Sequence, residues 1–311
     1  MKTAVILVNW NGWQDTIECL TSLFAAQLPD TAIIVCDNGS TDGSLQHLRA
    51  WIEQTGQPHD FRAFSPSEPM TPPSRLTFLD TGANLGFSGG NNAGIELALS
   101  WGCEFIWLLN NDTTIEPDAL TEMLSVFSDH PEIGVLGSLI RPMSDRGAIA
   151  CAGGWYNPMT GQAADYTEIQ SDRRPHEVPF VSGCSLLVRR TAIEKAGRMP
   201  EQYFLYCEDV DWCIRLKRAG YPSFVQPTSI VYHKESNSLG KLSRNKLYYT
   251  SRSSLLLVRS LFPHYLPLAI AFAMLRLLKR AIAGEFDQIR PMLAGFGDAL
   301  QAKPHLRKPH F

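Results

Sequence analysis

The chain has 311 residues, 44% hydrophobic and 10% aromatic, which can fill a sizeable core and excludes a disordered protein. Net charge is only −3, but residues 1–240 carry 16 basic and 28 acidic side chains while residues 241–311 carry 12 basic and three acidic ones. The body is acidic and the tail basic, and nothing in the pattern points to nucleic acid as a partner.

The N-terminal run "TAVILV" has the length of a strand and no small-residue cleavage site after it, so it reads as a first β-strand with no export. The "NWNGW" turn follows, then a helix with Ile17, Leu20, Leu23 and Phe24 at helical spacing. "AIIVC", "DNGSTDGS" and a helix with Leu45, Leu48 and Trp51 repeat the unit. Residues 55–76 hold five prolines and no helical period, and read as an irregular surface excursion. The alternation resumes with "RLTFLD", a Gly/Asn-rich turn, a short helix and "EFIWLLNNDT". Apolar strands alternating with helices predict an α/β fold, a mostly parallel sheet flanked by helices. The seven cysteines form no CxxC pair and several lie in apolar runs, so they read as buried free thiols in a reducing, cytoplasmic setting.

In such sheets ligands bind beyond the carboxyl ends of the strands, and the polar clusters fall there. Asp37, after the second strand, can accept hydrogen bonds from a base or ribose; an Asx-turn and a helix cap account for the same residues. "NLGFSGGNNAG" lacks the dinucleotide and P-loop spacings, but its glycines allow close backbone approach, and Asn84, Asn91 and Asn92 offer amides; a turn opening a helix is the alternative. "LLNNDT" ends an apolar run in Asn110, Asn111 and Asp112. Asp112 can give one carboxylate to a hard divalent cation whose shell phosphates complete, or the segment is a turn before the helix near 117–129. In "YCEDVDWCIRLKRAG" the wheel places Val210, Cys213 and Ile214 on the buried stripe. Glu208, Asp211, Trp212 and Arg215 share another face, with Asp209 at the boundary. Three carboxylates within four residues raise at least one pKa, as a general-base site requires, although acids at a helix start also suit its dipole. His233, after "SIVY", is a surface residue or a metal ligand.

In this order "VILVNWNG", "VCDNGSTDGS", "NLGFSGGNNAGI", "LLNNDT", "FVSGCSLLVRR", "EDVDWCIRLKRAGY", "VYHKES" and "YYTSRSSLLLVR" resemble the family 2 glycosyltransferases, most closely the bacterial rhamnosyltransferase-like branch. The resemblance implies a GT-A fold, an NDP-sugar donor (dTDP-, UDP- or GDP-linked) and transfer with inversion. L-Rhamnose from dTDP-rhamnose is the first expectation. It implies nucleotide-sugar contacts at Asn9, Asn11, Asp37, Asn84, Asn111 and Asp112, a divalent cation (Mn or Mg) at Asp112 and His233, and Asp209 as the general base. Glu208, Asp211, Trp212 and Arg215 are expected to support the site or the acceptor. Asn110 stands where the family's metal motif has its first Asp, which puts strict metal dependence in question.

Residues 1–240 are thus expected to form the catalytic domain and 241–311 a basic, mostly helical appendage. Residues 260–275 are apolar but short and interrupted by two prolines, so they predict an amphipathic helix with a basic face on an anionic membrane, not a transmembrane span. The alternative is packing on the catalytic body or on a second copy in a homodimer. A lipid-linked or polysaccharide acceptor in cell-envelope assembly, at the inner face of the membrane, suits the first reading. Competing functions are a nucleotidyltransferase, which should show a basic N-terminal loop that "VNWNGWQD" lacks, and a non-catalytic sugar-nucleotide scaffold, which should have lost the acidic site.

Overall fold

The computed structural model describes residues 2–64, 74–169, 173–234 and 243–301. In its first half β1 (Thr3–Asn9), α1 (Trp13–Ala25), β2 (Thr31–Asp37), α2 (Ser44–Thr55), β3 (His59–Ala63), β4 (Leu76–Asp80), α3 (Gly86–Ser100) and β5 (Phe105–Asn110) follow one another. Then come β6 (Thr113–Ile115), α4 (Ala119–Asp129), β7 (Val135–Pro142), the hairpin β8 (Gly154–Asn157) and β9 (Gln162–Asp165), and β10 (His176–Val178). The chain continues with β11 (Ser185–Arg189), α5 (Arg190–Ala196), α6 (Glu208–Arg218) and β12 (Ser223–His233). Helices α7 (Arg244–Leu261), α8 (Leu266–Ile282) and α9 (Phe286–Gln301) follow.

The main sheet runs β10-β12-β7-β11-β5-β1-β2-β4-β3, with β6 paired to β12. From β5 to β3 all neighbours are parallel; β11 enters antiparallel between β5 and β7. Side chains alternate across a strand. Ala4 and Ile6 therefore join a core with α3 and α6, while Val5 and Leu7 join a second core with α1, α2 and α4. Helix α1 buries Thr16, Cys19, Leu20 and Leu23, one helical face laid on the sheet.

Two expectations are corrected here. The excursion at 55–76 contains β3, which pairs in parallel with β4 at the sheet edge; residues 65–73 of it lie outside the described residues. Its strand is short and half-buried, so it lacks the apolar run that marks a central strand. The glycine-rich stretch, read as a turn, is the opening of α3 itself. A Cβ on Gly94 would sit 2.6 Å from Ile6 Cγ2, so glycine serves there to let a helix lie close against β1.

The first core runs without a break into Leu255, Val258, Ala273, Met292 and Phe296 of the C-terminal helices. In α8 the buried residues are Ala269, Ala273 and Leu277, whereas Phe272, Leu275, Leu278 and Ile282 are exposed. The outward side is thus largely apolar with Lys279 exposed beside it, because the small side chains are the ones that fit against the body. Among the described residues no helix is long and apolar enough to cross a membrane.

Candidate active site

The parallel register sets Asn9 beside Asp37 at the carboxyl ends of β1 and β2. Asn9 is fully buried; its Nδ2 donates to Asp37 Oδ2 at 2.7 Å and to Ser40 Oγ at 3.1 Å, and its Oδ1 accepts from Thr16 Oγ1. Asp37 also takes the Ser40 N–H at 3.0 Å. Asn11, at φ +53°, accepts from the Thr41 N–H at 2.7 Å and so pins the same loop. The Asx-turn reading of Asp37 and the crest position thus hold together. Asn9 is a positioning residue whose amide is spent inside the protein.

Asn38 follows Asp37 in "DNGSTDGS" and is buried. It donates to Gly86 O at 3.0 Å and Asn84 Oδ1 at 3.3 Å and accepts from the Leu85 N–H at 2.9 Å, tying the loop after β2 to the loop before α3. Asn84 in turn accepts from the Gly86 N–H at 2.9 Å. Asn91 donates to Phe87 O within its own helix, and Asn92 is engaged with Met199 and Glu201, so these two amides hold the scaffold rather than a ligand.

Strand β5 stops at Asn110, and Asn111 donates to Thr16 Oγ1 at 2.9 Å, fixing the turn against α1. The antiparallel register of β6 on β12 sets Thr113 against His233. That pairing carries Asp112 to His233 from far along the chain, and Oδ1 lies 3.1 Å from Nε2. Among the described residues no third His, Cys, Asp or Glu joins them. One carboxylate oxygen and one imidazole nitrogen fit a divalent cation that draws the rest of its shell from phosphate oxygens and water.

Helix α6 begins after Tyr206 and Cys207, both left-handed at φ +69° and +67°. Non-glycine residues there cost on the order of 1–3 kcal/mol each and persist only where surroundings force them. Helix α7 supplies the force: Arg252 Nη1 donates to Gln202 O at 3.1 Å, Ser253 Oγ to Leu205 O at 2.8 Å, and Tyr249 stacks on Phe204. Gly86, at φ +75°, lies against the same loop, where a Cβ would come 2.6 Å from Phe204 O.

This loop delivers Glu208 and Asp209. Burial, then the Asp209 charge, pushes Glu208 up to about 8, and its buried Oε2 has no hydrogen-bond partner among the described residues. Asp209 is also raised by burial, yet it accepts from the Gly183 N–H at 3.0 Å and the Val210 N–H at 2.8 Å. Burial raises both acids and backbone N–H groups oppose the rise at each, so the two titrate as a pair. Asp209 lines a cavity of about 400 Å³, bounded by β9 and by α7, α8 and α9. The Gly183–Cys184 backbone links Asp209 to the end of β5, since Asn110 N–H donates to Cys184 O at 2.9 Å.

Of the residues that share the second face of α6, Asp211 and Trp212 are buried and Arg215 is partly exposed. Asp211 is fully buried and bonds Tyr203 Oη at 2.7 Å and the Arg215 guanidinium, while buried Trp212 donates to Gly197 O at 2.9 Å. These three stabilise α6 and stay out of the cavity lining. The wheel failed because both sides of α6 are covered, one by the sheet and one by α5 and the 197–203 loop. Arg252, in "YYTSRSSLLLVR", carries no local signal of its contact with Gln202, because only the fold sets α7 on the loop before α6.

A sequence profile described as "Glycosyl transferase family 2" matches residues 4–197. The chain is 29% identical over 258 residues to N-acetylglucosaminyl-diphospho-decaprenol L-rhamnosyltransferase of Mycobacterium tuberculosis, covering 76% of this chain and 77% of that protein. Its fold is similar to mannosyltransferase PcManGT from Pyrobaculum calidifontis, in complex with GDP-Man and Mn2+, with TM-score 0.59, 15% identity, and coverage of 97% and 88%. It is also similar to S. aureus TarS 1-349 in complex with UDP-GlcNAc, with TM-score 0.60, 17% identity, and coverage of 98% and 82%.

Proposed function

This chain belongs to glycosyl transferase family 2, in its rhamnosyltransferase-like branch, and we propose that it moves L-rhamnose from an NDP donor to an acceptor hydroxyl with inversion. The general activity, a glycosyltransferase using a nucleotide sugar on a GT-A fold, follows from the family. The sugar is supported by the mycobacterial relative, as is a lipid-linked or polysaccharide acceptor of the cell envelope.

One observation supports the residue assignment: Asp37 ends β2 and His233, beside Asp112, ends β12 at the carboxyl edge of the sheet, and the 183–184 backbone joins Asp209 to the end of β5. In this reading the Asp37 crest, held by Asn9 and Asn11, meets the nucleoside, with Asn84 and Asn111 shaping its walls. Asp112 and His233 would hold a divalent cation, Mn or Mg, which when bound supplies Lewis-acid stabilisation to the leaving diphosphate. Asp209, charged and within the cavity, takes the proton of the acceptor hydroxyl as that oxygen bonds to the anomeric carbon. The bond from that carbon to the diphosphate oxygen breaks on the opposite face, which inverts the centre. Residues 1–240 form the donor-handling part and 241–311 the part that closes the acceptor side. The exposed apolar side of α8 supports a peripheral position at the inner face of the membrane.

The test is binding and hydrolysis over a panel of dTDP-, UDP- and GDP-sugars, with and without Mn or Mg. One donor should bind, with hydrolysis lost on chelation and restored by Mn. Asp209→Asn should keep the donor and lose turnover by about 10²-fold or more. Failure of every NDP-sugar to bind would remove the transferase assignment from these residues and favour the scaffold reading.

A further inference from the structure

Helix α1 stands behind both members of the Asp112–His233 pair, and it reaches the histidine through a side chain with no part in the chemistry above. On the aspartate side, Asn111 Nδ2 donates to Thr16 Oγ1 at 2.9 Å, and Cys19 Sγ lies 3.8 Å from Asn110 O and 3.7 Å from Thr113 Oγ1. On the histidine side, Lys234 Nζ donates to Asp15 Oδ1 at 2.7 Å and to Glu18 Oε2 at 2.5 Å. Its backbone N–H donates to Asp112 O at 3.0 Å. Lys234 therefore ties the aspartate segment, the end of β12 and α1 together.

This bracing matters because the ladder between the two ligands is short. Strand β6 has three residues, and Thr113–His233 is its terminal pair with β12. Local opening starts at such ends, so the 3.1 Å approach of His233 Nε2 to Asp112 Oδ1 depends on what fixes the next residue. Asp15 and Glu18 are three apart on α1 and share a face, where two carboxylates repel one another. An ammonium between them offsets that repulsion. Lys234, Asp15 and Glu18 are all partly exposed, so their pairs add little to global stability. What they supply is direction. Groups that orient a metal ligand from outside the ligand set typically change metal affinity by about 10- to 100-fold.

We propose that Lys234 is a positioning residue: paired with Asp15 and Glu18, it anchors the end of β12 to α1 and holds His233 opposite Asp112 for a divalent cation. The proposal rests on the cation reading above and adds the residues that order its site. Lys234 and the two acids act through His233 and not on the substrate. Helix α1 thus serves as a common base, with Thr16 and Cys19 under one ligand and Asp15 and Glu18 under the other.

The experiment follows Mn2+ binding to the full chain by electron paramagnetic resonance, with Mn2+ alone and with Mn2+ plus dTDP, UDP or GDP. Unfolding temperature is the check on folding. Lys234→Met should weaken Mn2+ binding at least about tenfold with little change in unfolding temperature, and Lys234→Arg should recover most of the affinity. Asp15→Asn combined with Glu18→Gln should reproduce the loss. Adding Lys234→Met to that pair should weaken binding no further, because the three act as one unit. Lys234→Met that binds as wild type does, Lys234→Arg that is as weak as Lys234→Met, or losses that add overturns the proposal. In that case abolition of binding by Asp112→Asn keeps the cation reading without it. Wild type that binds no Mn2+ under any of these conditions, or Asp112→Asn that binds as wild type does, removes the cation from Asp112 and His233 and this role of Lys234 with it.

Discussion

At the scale of single residues the site works by giving two adjacent acids unequal surroundings. Asp209 accepts from the Gly183 and Val210 N–H groups, whereas Glu208 Oε2 is buried and finds no partner among the described residues. Of the two, Glu208 is the acid that burial and the Asp209 charge push up to about 8. Glu208 has a folded-state pKa raised to about 8 from an ordinary 4.5, so between those values the folded chain binds more protons than the unfolded one. Stability must then fall as pH rises through that window, and the loss is complete above the folded value. Glu208→Gln should match wild type in thermal unfolding at about pH 4 and exceed it by several degrees at about pH 8.5. A gap that is constant with pH would show that Glu208 is ionised in the folded state.

At the scale of elements, the site depends on loops held by distant partners. The loop before α6 touches α3 at Gly86 and α7 at Arg252 and Ser253, so the starts of α3 and α6 share one support. Gly86→Ala places a Cβ against Phe204 O while the backbone stays at φ +75°. The expected cost is about 2 kcal/mol or more in stability. Turnover should fall further than that loss alone explains, because the shift is passed to Asp209. Denaturant unfolding together with kcat at a saturating donor checks both parts. A variant as stable and as active as wild type would show that the loop does not lean on α3.

At the scale of the whole molecule, the described part of the basic tail, residues 243–301, packs on the body. Its helices extend the core, turn Arg276 and Arg280 toward the cavity and leave an apolar strip outward, with Ile282 79% exposed. An amphipathic helix presenting such a strip enters the headgroup region by apolar burial as well as by charge. Cosedimentation with anionic vesicles should therefore retain the wild-type chain and survive moderate salt. The triple change Phe272→Ser, Leu275→Ser, Leu278→Ser should lose it with little change in unfolding temperature, since all three are exposed. Equal behaviour of both proteins would remove membrane contact through α8.

The sequence by itself determined the alternating strands and helices of the first half, because apolar β-branched runs and helical stripes are local signals. It also placed Asp37, Asp112, Asp209 and His233 at strand or helix ends, since polar residues that stop an apolar run stand out. It could not show β3, whose half-buried edge lacks that pattern, or the inward turn of Asp211 and Trp212, since a wheel shows one helix and not what covers it. Only the tertiary structure decided that β6 pairs with β12 and so joins Asp112 to His233. It alone set α7 behind the base loop and aimed Arg276 at the cavity of Asp209. Those are contacts between segments far apart in the chain, fixed by register and packing, and no local pattern encodes them.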